Sequence, residues 1–219
     1  MPRFFILFLQ NIGVNGILVL AIALKFCYDW RMTEQKPTVC AIVAIGPDNV
    51  IGANGKMCWY CASDFYHFRK TTTPYPCIFG RVTYENLPIK PLPGRFNLIC
   101  GSSYKNEYKN GVFYANSVID AINACGNVSR VFICGGAGIY KYVLQNDLLD
   151  IMYLTKIKSP ILESQIQSNP AEYARFPINI DDFFNPKQWH TTQIIYPKNI
   201  LPVDKNGTSA EFFKCVRVR

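Results

Sequence analysis

The stretch Val131-Phe132-Ile133-Cys134-Gly135-Gly136-Ala137-Gly138-Ile139-Tyr140 gives the strongest indication of how this chain folds. Four residues of strand character are followed by small residues that open a helix predicted over 138–145. Small side chains at a helix start leave backbone N–H groups free to bind an anion such as a pyrophosphate. A tight strand-to-helix turn that binds no ligand is an equally good interpretation of so short a glycine cluster.

Strands and helices alternate on both sides of this stretch. Unbroken apolar runs, typical of strands buried on both faces, occur at residues 39–45, 77–79, 96–100, 112–114 and 151–157. Helices are predicted at 63–71, where Ser63 could cap, at 82–86 and at 117–125, where Ser117 could cap. The pattern indicates an α/β fold with a central, mostly parallel β-sheet flanked by about four helices.

The C-terminal third departs from this alternation. Residues 189–196 and 210–218, around a turn with proline and glycine, predict an antiparallel hairpin. Residues 159–179 contain three prolines and weak periodicity, which predicts an inserted loop.

Composition favours one compact domain, whose positive charge suits a small anionic ligand as well as it suits nucleic acid. The chain has 219 residues, is 49% hydrophobic and carries a net charge of +8. Its Lys and Arg residues are scattered rather than grouped, so we expect no nucleic-acid partner. Nine cysteines, several within apolar runs, are predicted to be reduced core residues of a cytoplasmic protein. Cys58 and Cys61 have CxxC spacing, but without a second pair they predict no metal site.

The N-terminal residues 1–31 differ from the rest. Residues 4–24 carry no charge over 21 positions, enough to span a bilayer as a membrane anchor. The alternative is that Met32 is the true start, since a polar spacer leads from it into the first strand. We therefore divide the chain into an extension, 1–31, and a domain, 32–219, which would be cytosolic even if the extension is an anchor.

Two further segments could bind anionic groups. Gly80-Arg81-Val82-Thr83 follows a strand and starts a helix, where the Arg81 guanidinium and the Thr83 hydroxyl could hold a phosphate. Arg81 in a solvated surface turn is the alternative. Two such helix starts favour one dinucleotide. Pro91-Leu92-Pro93-Gly94-Arg95 is a rigid turn whose arginine suits a carboxylate.

Asp64 is the candidate for acid–base chemistry. It follows Met57-Cys58-Trp59-Tyr60-Cys61 and is flanked by Phe65 and Phe68. A lone carboxylate among aromatic side chains can bind and polarise a nitrogen heterocycle. The alternative is an acid that only compensates the helix dipole in a first turn.

Taken in order and spacing, these segments resemble the dihydrofolate reductase family over residues 38–219. The residues that carry the resemblance are Ile42-Val43-Ala44, Asn49-Val50-Ile51-Gly52, Gly55-Lys56-Met57-Cys58-Trp59, Asp64, Phe68, Thr72, Gly80-Arg81, Thr83, Pro91-Leu92-Pro93-Gly94-Arg95, Asn97, Gly135-Gly136, Tyr140 and Tyr153-Leu154-Thr155. The resemblance implies that family's fold and an NADPH-dependent reduction of 7,8-dihydrofolate to 5,6,7,8-tetrahydrofolate by hydride transfer, within one-carbon metabolism.

The resemblance also implies roles for single residues. Asp64 would be the only ionisable group at the pterin and would promote protonation of N5 through solvent, with Thr155 supporting it. Trp59 would order a water, and Met57 would belong to a mobile loop that closes over the nicotinamide. The expected substrate-binding residues are Ile42, Val43, Asp64, Phe68, Lys90, Leu92, Arg95, Cys134 and Thr155. The expected NADPH-binding residues are Ala44, Val50, Ile51, Gly52, Ala53, Asn54, Gly55, Lys56, Gly80, Arg81, Val82, Thr83, Gly101, Ser102, Gly135, Gly136, Ala137, Gly138, Ile139 and Tyr140.

The chain departs from the family pattern at four positions, one of which is Phe79 in place of a methionine. Cys58 replaces a proline, which should loosen the closing loop. Ala137 replaces a glycine, and Gly101 replaces a serine near the 2′-phosphate. The segment after Lys158 is expected to leave the pocket alone.

Two other functions compete with this one. A riboflavin-pathway pyrimidine reductase would not need Asp64, Trp59 and Arg95 together. The other is a catalytically silent, membrane-tethered binding protein on the same fold, suggested by the apolar N-terminus and the altered closing loop. We expect a monomeric enzyme.

Overall fold

The apolar runs form the strands of a central sheet in the structure, a computed structural model that describes residues 36–197, 199–205 and 207–219. The strands are β1 (Thr38–Ile45), β2 (Val50–Ala53), β3 (Cys77–Gly80), β4 (Asn97–Cys100), β5 (Glu107–Lys109), β6 (Val112–Ala115), β7 (Arg130–Ile133), β8 (Ile151–Lys158), β9 (Tyr173–Arg175), β10 (Trp189–Ile194) and β11 (Ser209–Arg217). The α-helices are α1 (Ala62–Thr72), α2 (Arg81–Glu85), α3 (Val118–Ala124), α4 (Ala137–Gln145) and α5 (Pro160–Ser168). Short 3-10 helices span Pro47–Asn49, Pro170–Glu172 and Ile180–Phe184.

Nine strands form one sheet in the order β10-β11-β8-β1-β7-β3-β4-β6-β5. The strands from β8 to β6 in this order are parallel, whereas β11 is antiparallel to both β8 and β10, and β5 is antiparallel to β6. The predicted mostly parallel sheet with an antiparallel C-terminal hairpin is confirmed. Because parallel strands share one direction, the turns that follow β3 and β7 lie at the same edge of the sheet.

Of the two serine caps that the sequence predicts, one is present in the structure and the other is not. Ser117 caps α3 as predicted, since its side chain accepts a hydrogen bond from the Asp120 N–H at 3.0 Å. Ser63 was predicted to cap α1, and this was wrong. The cap position is Cys61, and Ser63 lies inside the helix, where it donates to Asp204. The acceptor that α1 needs comes from a distant part of the chain.

Residues 159–179 do not form the predicted loop. Pro160 begins α5, where a missing N–H costs nothing, and residues 173–175 form β9, which pairs antiparallel with β2. Leu162 and Ile166, four residues apart on one helix face, are buried in a cluster with Trp59. Pro160 and Pro170 mark the starts of elements. Because the segment packs against Trp59, the expectation that it leaves the site alone was wrong.

Within residues 36–197, 199–205 and 207–219, no helix is long and apolar enough to cross a membrane. The predicted anchor at residues 4–24 and the alternative start at Met32 lie outside the described residues. Residues 37–219 form one compact unit.

Candidate active site

Asp64 lies in the first turn of α1, and only 7% of its surface is exposed. Burial raises the pKa of its carboxyl to about 6, the Thr155 hydroxyl lowers it by a smaller amount, and the charge of Asp204 raises it further. A carboxyl with this pKa exchanges a proton near neutral pH. The alternative that Asp64 only compensates the helix dipole does not account for its burial, because dipole-compensating acids are stable when exposed.

Two buried polar atoms of the predicted catalytic residues have no hydrogen-bond partner among the described residues. Thr155 on β8 is fully buried and close enough to lower the pKa of Asp64, yet its geometry falls outside that of a hydrogen bond, and its Oγ1 has no partner among the described residues. The Nε1 of Trp59, 8% exposed, likewise has none there. Buried groups of this kind are satisfied by a bound ligand or water. Both residues belong to the predicted catalytic set.

Tyr140 ties α4 to the central strand of the sheet. Its hydroxyl donates a hydrogen bond to the Ile42 carbonyl at 2.7 Å. Burial raises the pKa of Tyr140 well above its ordinary value, so the side chain stays a protonated donor. A carbonyl oxygen has two lone pairs. The carbonyl of Ile42 can therefore accept this bond and one more from a ligand.

Two glycine-bearing turns meet at the edge of the sheet. The Gly80 N–H donates to the Gly135 carbonyl at 2.7 Å, and a Cβ added to Gly136 would lie 2.9 Å from the Thr83 Oγ1. Gly135 has a φ of +104°, a conformation that side chains rarely adopt. The structure thus brings together the two helix starts that the sequence singled out. Arg81 is exposed and forms an ion pair with Glu85 at 2.9 Å, as in the surface-turn alternative.

The segment after β1 contains a tight turn that lies against α2, where a Cβ on Gly55 would be 2.6 Å from the Val82 side chain. β2 runs into a tight turn in which Ala53 and Lys56 exchange backbone hydrogen bonds of 2.9 Å, and a Cβ on Gly52 would lie 2.5 Å from the Lys56 carbonyl oxygen. Asn54 and Gly55 adopt positive φ in the turn. Met57 follows and is 42% exposed. Its predicted role in closing the site stays a prediction.

Arg95 is held by two neighbours on α1. Its guanidinium donates to the Thr72 Oγ1 at 3.0 Å and lies 5.8 Å from the centre of the Phe68 ring. These contacts fix a half-buried cation beside an aromatic side chain. Lys90, predicted to assist, is exposed and donates to the Glu85 carbonyl.

Two contacts that shape the site were not predicted from the sequence. Asn97 exchanges hydrogen bonds of 2.9 and 3.0 Å with the backbone of Leu92, and so fixes the turn that carries Arg95. A Cβ on Gly101 would lie 3.0 Å from the Tyr104 ring, which explains the glycine where a serine was expected. Neither contact has a local sequence signal.

The other predicted site residues lie along the same elements. Val43 and Ala44 are on β1, where Ala44 pairs with Thr155, and Cys134 follows β7 with a buried thiol whose pKa burial raises well above its usual range. Ser102 is exposed and offers its carbonyl to the Asn116 side chain at 3.0 Å. The remaining cofactor candidates lie on β2 and at the starts of α2 and α4: Val50, Ile51, Val82, Ala137, Gly138 and Ile139.

Comparisons with known proteins agree on one family. A sequence profile for dihydrofolate reductase matches residues 38–196. The dihydrofolate reductase of Candida albicans is 38% identical over 141 residues, which cover 59% of this chain and 73% of that protein. The dihydrofolate reductase of Buchnera aphidicola from Acyrthosiphon pisum is 36% identical over 125 residues, covering 57% and 74%.

A solved structure has the same fold. The dihydrofolate reductase from Enterococcus faecalis, complexed with NADP(H) and RAB-propyl, superposes with a TM-score of 0.61 at 22% identity. The match covers 83% of this chain and 97% of that one.

Proposed function

The chain belongs to the dihydrofolate reductase family, and we propose that it performs that family's NADPH-dependent reduction of 7,8-dihydrofolate with Asp64 as its acid–base residue. The reaction adds a hydride to C6 and a proton to N5 of the pterin. The observation that carries the proposal is the buried Asp64 carboxyl, with a pKa of about 6, beside the unpartnered Thr155 hydroxyl.

The chain's residues fit NADPH. The turns at Gly80 and Gly136 abut so closely that one added Cβ at Gly136 would reach the Thr83 hydroxyl, and the backbone there can approach a pyrophosphate. NADPH supplies the hydride when bound. Arg81 lies on the surface and can bind a phosphate in place of Glu85, because an exposed ion pair contributes little to stability.

Asp64 and Ile42 hold the pterin ring in this proposal. The carboxylate accepts from the ring N–H and the amino group, and the Ile42 carbonyl accepts a further bond from the ring. Thr155 orders this end of the ring through its buried hydroxyl, which interacts with the Asp64 carboxyl. Arg95, already oriented by Thr72 and Phe68, pairs with a carboxylate of the glutamate tail.

Protonation of N5 follows from the same carboxyl. With a pKa of about 6, Asp64 is mainly ionised at pH 7 but takes up a proton readily. The buried Nε1 of Trp59 can hold a water that passes the proton from solvent to N5. We therefore expect the rate to fall as the pH rises above the Asp64 pKa.

The test is NADPH consumption with dihydrofolate by the full chain, followed by absorbance, beside the Asp64→Asn variant. Turnover that the substitution removes supports the proposal. A folded chain that binds dihydrofolate without consuming NADPH would instead identify the silent binding protein, and reduction of a pyrimidine in place of dihydrofolate would identify the riboflavin-pathway alternative.

A further inference from the structure

The connection between β10 and β11 reaches across to α1, the helix that carries Asp64. Asp204 in this connection accepts the Ser63 N–H on Oδ1 at 3.0 Å and the Ser63 hydroxyl on Oδ2. The two residues are 141 positions apart, so this contact is tertiary. One carboxylate thereby satisfies two donors in the first turn of the helix.

The first turn of α1 needs such an acceptor. The first four N–H groups of a helix have no partner within it, and Cys61 at the cap position makes no side-chain capping bond. An anion at this end is also favoured by the helix dipole. Asp204 therefore does for α1 what a local capping residue does for other helices.

A second contact holds the same helix one turn further on. The Tyr196 hydroxyl lies 2.7 Å from the His67 Nδ1, and the Tyr196 ring packs edge-on against Tyr66 and His67. Lys70 lies 5.1 Å from the centre of the Tyr196 ring. The connection thus contacts α1 on both sides of Asp64.

The charge of Asp204 reaches the Asp64 carboxyl. The ionisable groups that interact with Asp64 are Asp204 from the connection, Cys61 beside the helix start and Tyr140 from α4, together with the neutral Thr155 hydroxyl on β8. Burial raises the pKa of both Cys61 and Tyr140, so both stay neutral near pH 7. Among the described residues, Asp204 is then the charged neighbour that opposes ionisation of Asp64.

We propose that Asp204 is a positioning residue for the reduction: through Ser63 it fixes the first turn of α1, and it places a negative charge beside the acid that holds the pterin. The inference rests on the proposed function for its effect on turnover, but not for its effect on Asp64 itself. Asp204 acts through Ser63 and Asp64, and we assign it no direct contact with substrate or cofactor.

The experiment separates charge from geometry with two variants of the full chain. Asp204→Asn keeps an oxygen that accepts the Ser63 N–H but removes the charge, and Asp204→Ala removes both. Asp182→Asn, an exposed acid in the 3-10 helix Ile180–Phe184, is the matched control for one lost charge. The titration of Asp64 is followed by the carboxyl ¹³C shift without substrate, and turnover is measured from pH 5 to 9.

In Asp204→Asn the Asp64 titration should move to lower pH, and the falling limb of the pH–rate profile should move with it. Turnover at pH 8 should then fall several-fold, because on that limb a shift of one pKa unit changes the rate tenfold. The KM for NADPH should stay within about twofold of wild type. Asp204→Ala should in addition raise the KM for dihydrofolate, because α1 loses its cap. If Asp204→Ala does not fold, Asp204→Asn decides alone.

An Asp64 titration in Asp204→Asn that coincides with wild type and with Asp182→Asn would overturn the inference, even if both variants are less stable. A wild-type chain that does not reduce dihydrofolate would overturn the proposed function instead. The carboxyl titration would still report whether Asp204 acts on Asp64, so the two failures are distinguishable.

Discussion

Replacement of Asp64 by asparagine should change activity and stability in opposite directions. The amide keeps the size of the carboxyl and can donate to the unpartnered Thr155 Oγ1, but it cannot exchange a proton. A positioned acid–base group contributes about 10²- to 10⁴-fold to a rate. We therefore expect turnover of dihydrofolate at pH 7 to fall by about that factor.

The stability change follows from the pKa. The folded chain raises the pKa of Asp64 from 3.8 to about 6, and this rise corresponds to about 3 kcal/mol. Stability from a group with a raised pKa is fully present below its unfolded pKa and is lost as the pH rises through the folded pKa. At pH 7.5 the ionised Asp64 thus destabilises wild type, and the neutral amide should be more stable by up to about 3 kcal/mol.

The assay compares urea unfolding of the two proteins at pH 3.5 and pH 7.5. The excess stability of Asp64→Asn should appear at pH 7.5 and be small at pH 3.5, where both side chains are neutral. The difference between the proteins cancels the contribution of other groups that titrate in this range. An inactive variant that is less stable at pH 7.5 would show that Asp64 is a structural residue, and normal turnover would refute the mechanism.

Three further outcomes are expected. His67 is buried and its pKa is lowered from 6.5 to about 4, so the contribution of His67 alone to stability should be full above pH 6.5 and be lost as the pH falls through 4, opposite in direction to that of Asp64. The difference in urea-unfolding free energy between wild type and His67→Gln should shrink over that range. Gly136→Ala should raise the KM for NADPH at least several-fold, because the new Cβ lies 2.9 Å from the Thr83 Oγ1, and combination with Thr83→Ala should cost less than the sum of the single losses; additive losses would contradict the contact. Arg95→Lys should raise the KM for dihydrofolate about tenfold with kcat little changed, since an ammonium cannot keep both the Thr72 bond at 3.0 Å and a two-point contact to a carboxylate, and an unchanged KM would place the tail elsewhere.

The sequence predicts the apolar strands and the C-terminal hairpin, but it misses the three short strands β2, β5 and β9. β1, β3 and β7 are continuous apolar runs because helices or further chain cover both sides of the sheet. β5 has three residues, all exposed, and carries no apolar signal. β9 forms because it pairs with β2, which lies more than a hundred residues earlier in the sequence. The sequence around β9 alone therefore does not predict it.

In the site, too, the sequence indicates the role of a residue when neighbouring residues set it, and misses the role when a distant contact sets it. The glycine at 136 is visible in sequence as part of a small-residue cluster at a helix start, although the Thr83 hydroxyl that leaves no room for a Cβ there belongs to another element. The role of Ser63 was misread because its acceptor, Asp204, is contributed by another element. The glycine at 101 has its reason in the Tyr104 ring, which nothing in the local pattern indicates.

One physical feature links the orphaned groups of the site to its function. A buried hydroxyl or N–H without a partner costs about 1–3 kcal/mol. Thr155 Oγ1 and Trp59 Nε1 have no hydrogen-bond partner among the described residues, and burial opposes ionisation of the Asp64 carboxyl. A pterin edge that donates to the carboxylate, together with an ordered water, would satisfy all three groups at once. Binding of this heterocycle would then be more favourable than binding of a ligand without those donors, because such a ligand leaves the same buried groups unsatisfied.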